Sequence, residues 1–194
     1  MARQLGLDYA QQDVVGCLGL PFALLQKGDG RGTENVLWGT WQEMPVREFD
    51  YWYYEESTDS NGNRSRSYYR FSCAVTELDV SFPALAVYRE NLLTRLADHL
   101  AMHDIEFESD EFNRRFNVKG SDRRFANALL DARMLQWLLT VDGEFQFEVA
   151  RRWILCFSKK RAPTELIPLF GTLNAFREHV PRVAFELYGP STTG

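Results

Sequence analysis

VREFDYWYYEESTDSNGNRSRSYYRFS, residues 46–72, reads as two strands folded back on each other around a polar tip. The tip holds Asn61-Gly62, the dipeptide that best accepts the two positive φ angles of a type I′ hairpin turn. With those two residues as the turn, Asp59 faces Arg64, Trp52 faces Phe71 and Tyr54 faces Tyr69. An opposite-charge pair and aromatic pairs then lie side by side, each contributing about 0.2–1 kcal/mol. The same register predicts Trp52, Tyr54, Tyr69 and Phe71 on one face and Phe49, Tyr51 and Tyr53 on the other. Aromatics on both faces require cover on both sides, or else leave one aromatic surface exposed for a partner.

The pattern extends in both directions. Residues 35–80 read as antiparallel strands, and 84–88 add a short strand after Pro83. A helix is predicted from about Glu90, with Leu93, Leu96, Ala97 and Leu100 on one stripe. Two or three short helices fit residues 109–140, capped by Ser121 or Asp122 and by Asp131, whose side-chain oxygens can accept free N–H groups. A second hairpin is expected over 145–149 and 153–157. Pro163 and Thr164 open a closing helix with Leu166, Phe170, Leu173 and Val180 on one face. A short polar helix over 3–13, irregular chain over 14–25 and a last strand over 183–188 complete the reading. The fold class is α+β: an antiparallel sheet of about five to eight strands, helices inserted between two hairpins, and a closing C-terminal helix. One domain covers 1–190, with a disordered tail at 191–194.

A chain of 194 residues with 45% hydrophobic and 25% charged residues is of ordinary globular make-up. The formal net charge of −5 argues against nucleic acid as a partner. Single strands stacking on Trp52 and Tyr54 would also meet Glu55 and Glu56. Cys17, Cys73 and Cys156 form no C-x-x-C pair, which fits buried thiols in a reducing, cytoplasmic compartment. No apolar run approaches the ~18–20 residues of a membrane span.

Gly28-Asp29-Gly30-Arg31-Gly32 has spacing that invites a nucleotide-binding reading. A phosphate-cradling loop must open a helix, however, and here a strand follows, so a tight connection is expected. His99 and His103 are four apart, the spacing for two metal ligands on one helical turn, with Asp98, Asp104 and Glu106 nearby. The acidic run Asp104, Glu106, Glu108, Asp110 and Glu111 could supply acid/base carboxylates or simply complement a helix N-terminus. Arg114, Arg115, Lys119, Arg123, Arg124 and Arg133 make a basic segment, and Lys159-Lys160-Arg161 a second island near Arg151 and Arg152. Each is either an anion-binding patch or a solvated face with weak ion pairs.

Glu108-Ser109, Glu111-Phe112-Asn113, Phe116, Val118, Asp122, Phe125-Ala126 and residues 130–139 resemble an uncharacterised bacterial domain-of-unknown-function family. Asn35-Val36-Leu37 and Phe49-Asp50-Tyr51 extend the resemblance to the first half. It implies a soluble C-terminal domain held to a membrane by one or two N-terminal transmembrane helices, with the polar opening segment as a trimmed stalk or the anchor lost. The expected function is a non-catalytic binding or scaffold domain without a cofactor. Its expected surface is Trp52, Tyr54 and Tyr69 with Arg114, Arg115, Arg123 and Arg124, facing a protein partner or an anionic membrane. The alternative is a metal-dependent hydrolase built on His99, His103, Glu106 and Glu108.

Overall fold

The computed structural model describes residues 2–89, 102–141 and 144–189. Among these residues seven strands join one antiparallel sheet, with helices packed on it: the α+β class is correct. The chain opens with helix α1 (Ala2–Leu5) and strand β1 (Asp8–Gln12), where the sequence suggested one helix. Strands β2 (Gly30–Trp41), β3 (Met44–Thr58) and β4 (Arg64–Arg89) form a meander. Then come β5 (His103–Ile105), α2 (Asp110–Arg115), β6 (Phe116–Gly120), α3 (Arg123–Leu129) and α4 (Ala132–Thr140). Strand β7 (Gln146–Lys159) and helices α5 (Leu166–His179) and α6 (Arg182–Tyr188) close the chain. The expected helix from Glu90, His99 and the expected tail at 191–194 lie outside the described residues.

β4 is the spine. Residues 64–75 pair with β3 on one edge, 85–89 pair with β6 farther along that edge, and β7 runs along the other. The expected second hairpin is therefore one strand. Ala150-Arg151-Arg152 holds no turn residue, and the chain absorbs the irregularity as a bulge in which Arg151 takes φ 53°. Residues 183–188, expected as a strand, are helical and pack Ala184 into the core. Asp122 caps α3 through the Arg124 and Phe125 N–H groups and accepts the Tyr188 hydroxyl at 2.7 Å, tying α6 to α3.

The β3–β4 reversal is where it was expected, but its register is shifted by one. Thr58 pairs with Arg64, Tyr53 with Tyr69, and Trp52 with Arg70. Only Gly62 has positive φ, at 83°, and its N–H donates to the Asp59 carbonyl. This is a type I turn followed by a left-handed glycine, the three-residue alternative to the type I′ loop. Asp59 selects it: its carboxylate accepts the N–H groups of Asn61 and Asn63, leaving nothing for Arg64. A one-residue slip moves every side chain to the opposite face. Tyr69 and Phe71 consequently join Tyr51 and Tyr53, and Trp52 and Tyr54 join Tyr68.

Both faces are covered. Helices α3 to α6 pack on one, over Val46, Ala74, Leu85, Val87, Phe147 and Cys156. Residues 13–29 lie across the other, over Phe49, Tyr51, Tyr53, Phe71, Cys73 and Phe157. Two acids hold that irregular segment in place. Asp13 accepts the N–H groups of Cys17 and Leu18 and the Thr33 hydroxyl. Glu148 accepts the N–H groups of Ala23 and Leu24 and, at 2.5 Å, the Tyr88 hydroxyl.

Burial raises the Glu148 acid from its usual 4.5 to about 7, although these three donors pull the other way. Between those two values the unfolded chain is ionised while the folded one keeps its proton, so stability falls as pH rises through 7. The loss is on the order of 3 kcal/mol. Urea denaturation at pH 5 and pH 7.5 should show that decline. Glu148→Gln should lower stability at pH 5 by about 1–3 kcal/mol, through a lost acceptor, and flatten the decline. An unchanged slope in this variant would contradict the assignment.

Candidate functional site

On the helix-covered face β3 gives Met44 and Val46 to the core. Its next alternate positions are Glu48, Asp50, Trp52 and Tyr54, successive neighbours about 7 Å apart. Glu48 and Asp50 line a groove of about 790 Å3 whose apolar walls are Ala2, Leu7, Leu37, Pro163 and Leu166. Strand β1 and the start of α5 thus bound the groove, and β3 forms its floor.

A hydrogen-bonded chain runs along the polar side. The Tyr9 hydroxyl donates to Asn35 Oδ1 at 3.0 Å, and Asn35 Nδ2 donates to Asp50 Oδ2 at 2.9 Å. Asn35 reaches there from a bulge in β2, with φ 55°. Lys160 Nζ lies 3.0 Å from the same Asp50 oxygen, and the Ser72 hydroxyl donates to the other at 3.3 Å. The Arg161 guanidinium meets Glu144 at 2.6 Å. The basic island at 159–161 is therefore largely neutralised on this side.

Glu48 stands apart. It is 2% exposed, and among the described residues nothing hydrogen-bonds its carboxyl group. Burial pushes its acid well above the usual carboxylate range, Asp50 adds to the effect, and Lys160 opposes it. A buried acid without a partner costs stability, commonly 1–3 kcal/mol or more. Chemically it offers one acid group, ready to donate, accept or hold a cation, at the base of a groove with both apolar and polar walls.

Next along the same face lies an aromatic lane. Trp52 crosses Gly32 and Tyr54 crosses Gly30 on β2. A methyl group at Gly32 would lie 2.8 Å from the Trp52 ring, and one at Gly30 would run into the Tyr54 ring. The glycine repeat thus seats aromatic rings against the strand backbone. Tyr68, 53% exposed, packs beside both rings, and Arg66 lies 4.6 Å over Tyr54 while pairing with Glu56 at 2.7 Å.

Of the residues singled out in the sequence, Trp52 and Tyr54 share this lane. Tyr69 is on the opposite face, stacked on Tyr53 at 4.8 Å. Arg114 and Arg115 on α2, and Arg123 and Arg124 on α3, belong to the β6 end of the sheet. Trp52 pairs with Arg70 and the near end of β6, Gly120, lies opposite Leu85, so about 15 residues, roughly 50 Å of strand, separate the two sets. Arg115 pairs with Glu111 at 3.6 Å, and Arg123 borders a depression of about 490 Å3 with Glu106 and Glu108. His103 is exposed opposite Gly120. Among the described residues no three His, Cys, Asp or Glu side chains form a metal-binding group, and the hydrolase alternative finds no support there. Burial raises the Cys17 thiol to about 12 and the Cys73 and Cys156 thiols well above their usual value, so none is a ready nucleophile.

No family model matches the sequence, and no curated protein matches it. Among solved structures, the crystal structure of the mycobacterial trehalose monomycolate transport factor A, TtfA, superposes with a TM-score of 0.66. The match covers 94% of this chain and 90% of that one at 15% identity. The two chains share a fold. Among the described residues no helix is long and apolar enough to cross a membrane.

The fit of ring to glycine can be measured. Gly32→Ala should destabilise the protein by about 1–3 kcal/mol through overpacking. In a Trp52→Ala background the cost should nearly vanish, because alanine is otherwise favoured over glycine in a strand. Denaturation of the four proteins gives the coupling. Additive effects would show that the glycine serves some other contact.

Proposed function

We propose that this chain is a non-catalytic binding domain whose working surface is the Glu48 groove together with the lane of Trp52, Tyr54 and Tyr68. The observation that carries the reading is Glu48: a buried acid with no hydrogen-bond donor among the described residues, at the floor of a groove large enough to admit a side chain or small molecule. The lane continues that groove with exposed aromatic surface, the residue type enriched where proteins bind one another. A protein partner therefore suits it best. The shared fold supports the reading in kind, since TtfA is described as a transport factor. The domain works beside a membrane in this proposal, tethered through its N-terminal side as in the family that the sequence resembles. Arg114, Arg115, Arg123 and Arg124 at the far end of the sheet would then face the anionic surface.

A photo-crosslinking residue replacing Tyr68 in the native host should trap a discrete partner, whereas the same residue replacing Gln136 should not. With the crosslinker kept at position 68, Trp52→Ala with Tyr54→Ala should weaken capture at least about tenfold, as expected when interface aromatics are truncated, with the fold intact by circular dichroism. Equal capture from both positions, or from neither, counts against the reading.

A further inference from the structure

We propose that the groove receives a primary ammonium or guanidinium group carried on an apolar stem, with Glu48 as its acceptor. The inference rests on the binding-domain reading and names the chemistry of its ligand. Glu48 contrasts with the other acid on this side. Asp50 is satisfied by Asn35, Ser72 and Lys160, while Glu48, equally well placed on the floor, has no hydrogen-bond donor among the described residues. The cations near it are largely engaged: Lys160 lies between Asp50 and Glu34, and Arg161 reaches Glu144. At the rim Arg3 and Asp8, one of each charge, are both exposed. Of the two carboxylates on the floor, Glu48 is thus the one without a hydrogen-bond donor among the described residues.

The walls define the rest of the ligand. Leu7, Leu37, Pro163 and Leu166 offer no hydrogen bonds and suit a methylene chain. Tyr9, 53% exposed and fixed through its hydroxyl to Asn35, presents a ring at the mouth where a cation passes. A neutral hydroxyl on the same stem would meet the same walls but gain far less from the acid, because hydrogen bonds to charged groups are the stronger ones. Two sources carry this chemistry: a lysine or arginine side chain of a partner protein, and a free alkyl amine.

Calorimetry on the whole chain tests it with n-hexylammonium, 1-hexanol and a blocked pentapeptide with one central lysine. The wild-type protein should bind the ammonium at least about tenfold more tightly than the alcohol. Glu48→Gln should remove that preference. Tighter binding of the peptide identifies a partner's side chain as the source, and tighter binding of the free amine identifies a small molecule. Equal affinity for ammonium and alcohol in the wild type, or no binding of either cation, overturns the proposal without needing the variant to fold. Cross-linking at Tyr68 is independent of Glu48, so its persistence alongside failed cation binding would leave the binding-domain reading standing.

Discussion

Because β4 runs for 26 residues and is paired along both edges, nearly every other element takes its position from this strand. A strand paired on both edges has its backbone groups satisfied within the sheet, and its side chains alternate between two faces that must both be kept from water. The protein meets that demand unequally. Regular helices cover one face, and the extended and 3-10 turns of residues 13–29 cover the other. Irregular backbone cannot bond to itself as a helix does, so the second cover needs acceptors supplied from elsewhere. Asp13 and Glu148 supply them, and Arg47 donates to the Val15 carbonyl while stacking 4.8 Å over Trp153.

Much of this frame could be read from residue pattern. The aromatic ribbons, the reversal at Asn61 and Gly62, the Asp122 and Asp131 caps, and the closing helix all follow from local rules that tertiary structure did not override. Failures came where two local solutions were nearly equal. Asn-Gly fits a type I′ turn, but Asp59 two residues earlier favours type I with a bulge, and the choice decides which rings share a face. At residues 150–152 a break in alternation resembled a turn, because a bulge and a reversal look alike until the partner strand is known. The 183–188 segment has too little periodicity for its length, and packing of Ala184 and the Tyr188–Asp122 bond decided the matter.

The groove was harder to see, though one signal was present. Met44 and Val46 set an inward phase for β3, and that phase places Glu48 inside. A charged residue on a core-facing position is a local conflict of the kind that functional sites tolerate. The sequence reading followed aromatic and basic content instead, which singles out Trp52 and Tyr54, names Lys160 only within a basic island, and gives Asn35 and Asp50 no part in a site. The last three come from separate strands or the end of β7, and only the register brings them together.

Two buried glutamates on one sheet differ in what they receive for their burial. Glu148 and Glu48 are both nearly inaccessible, at 3% and 2% exposure, and burial raises the acid of both. Glu148 returns three hydrogen bonds for its desolvation and fixes the segment that covers an entire face. Glu48 returns none among the described residues, and an apolar residue of similar size would avoid that desolvation. A fold selected for stability alone gains nothing from such an acid. In the binding-domain reading proposed above, its position, one step along β3 from a satisfied Asp50 and two from Trp52, gives it a use when something enters the groove.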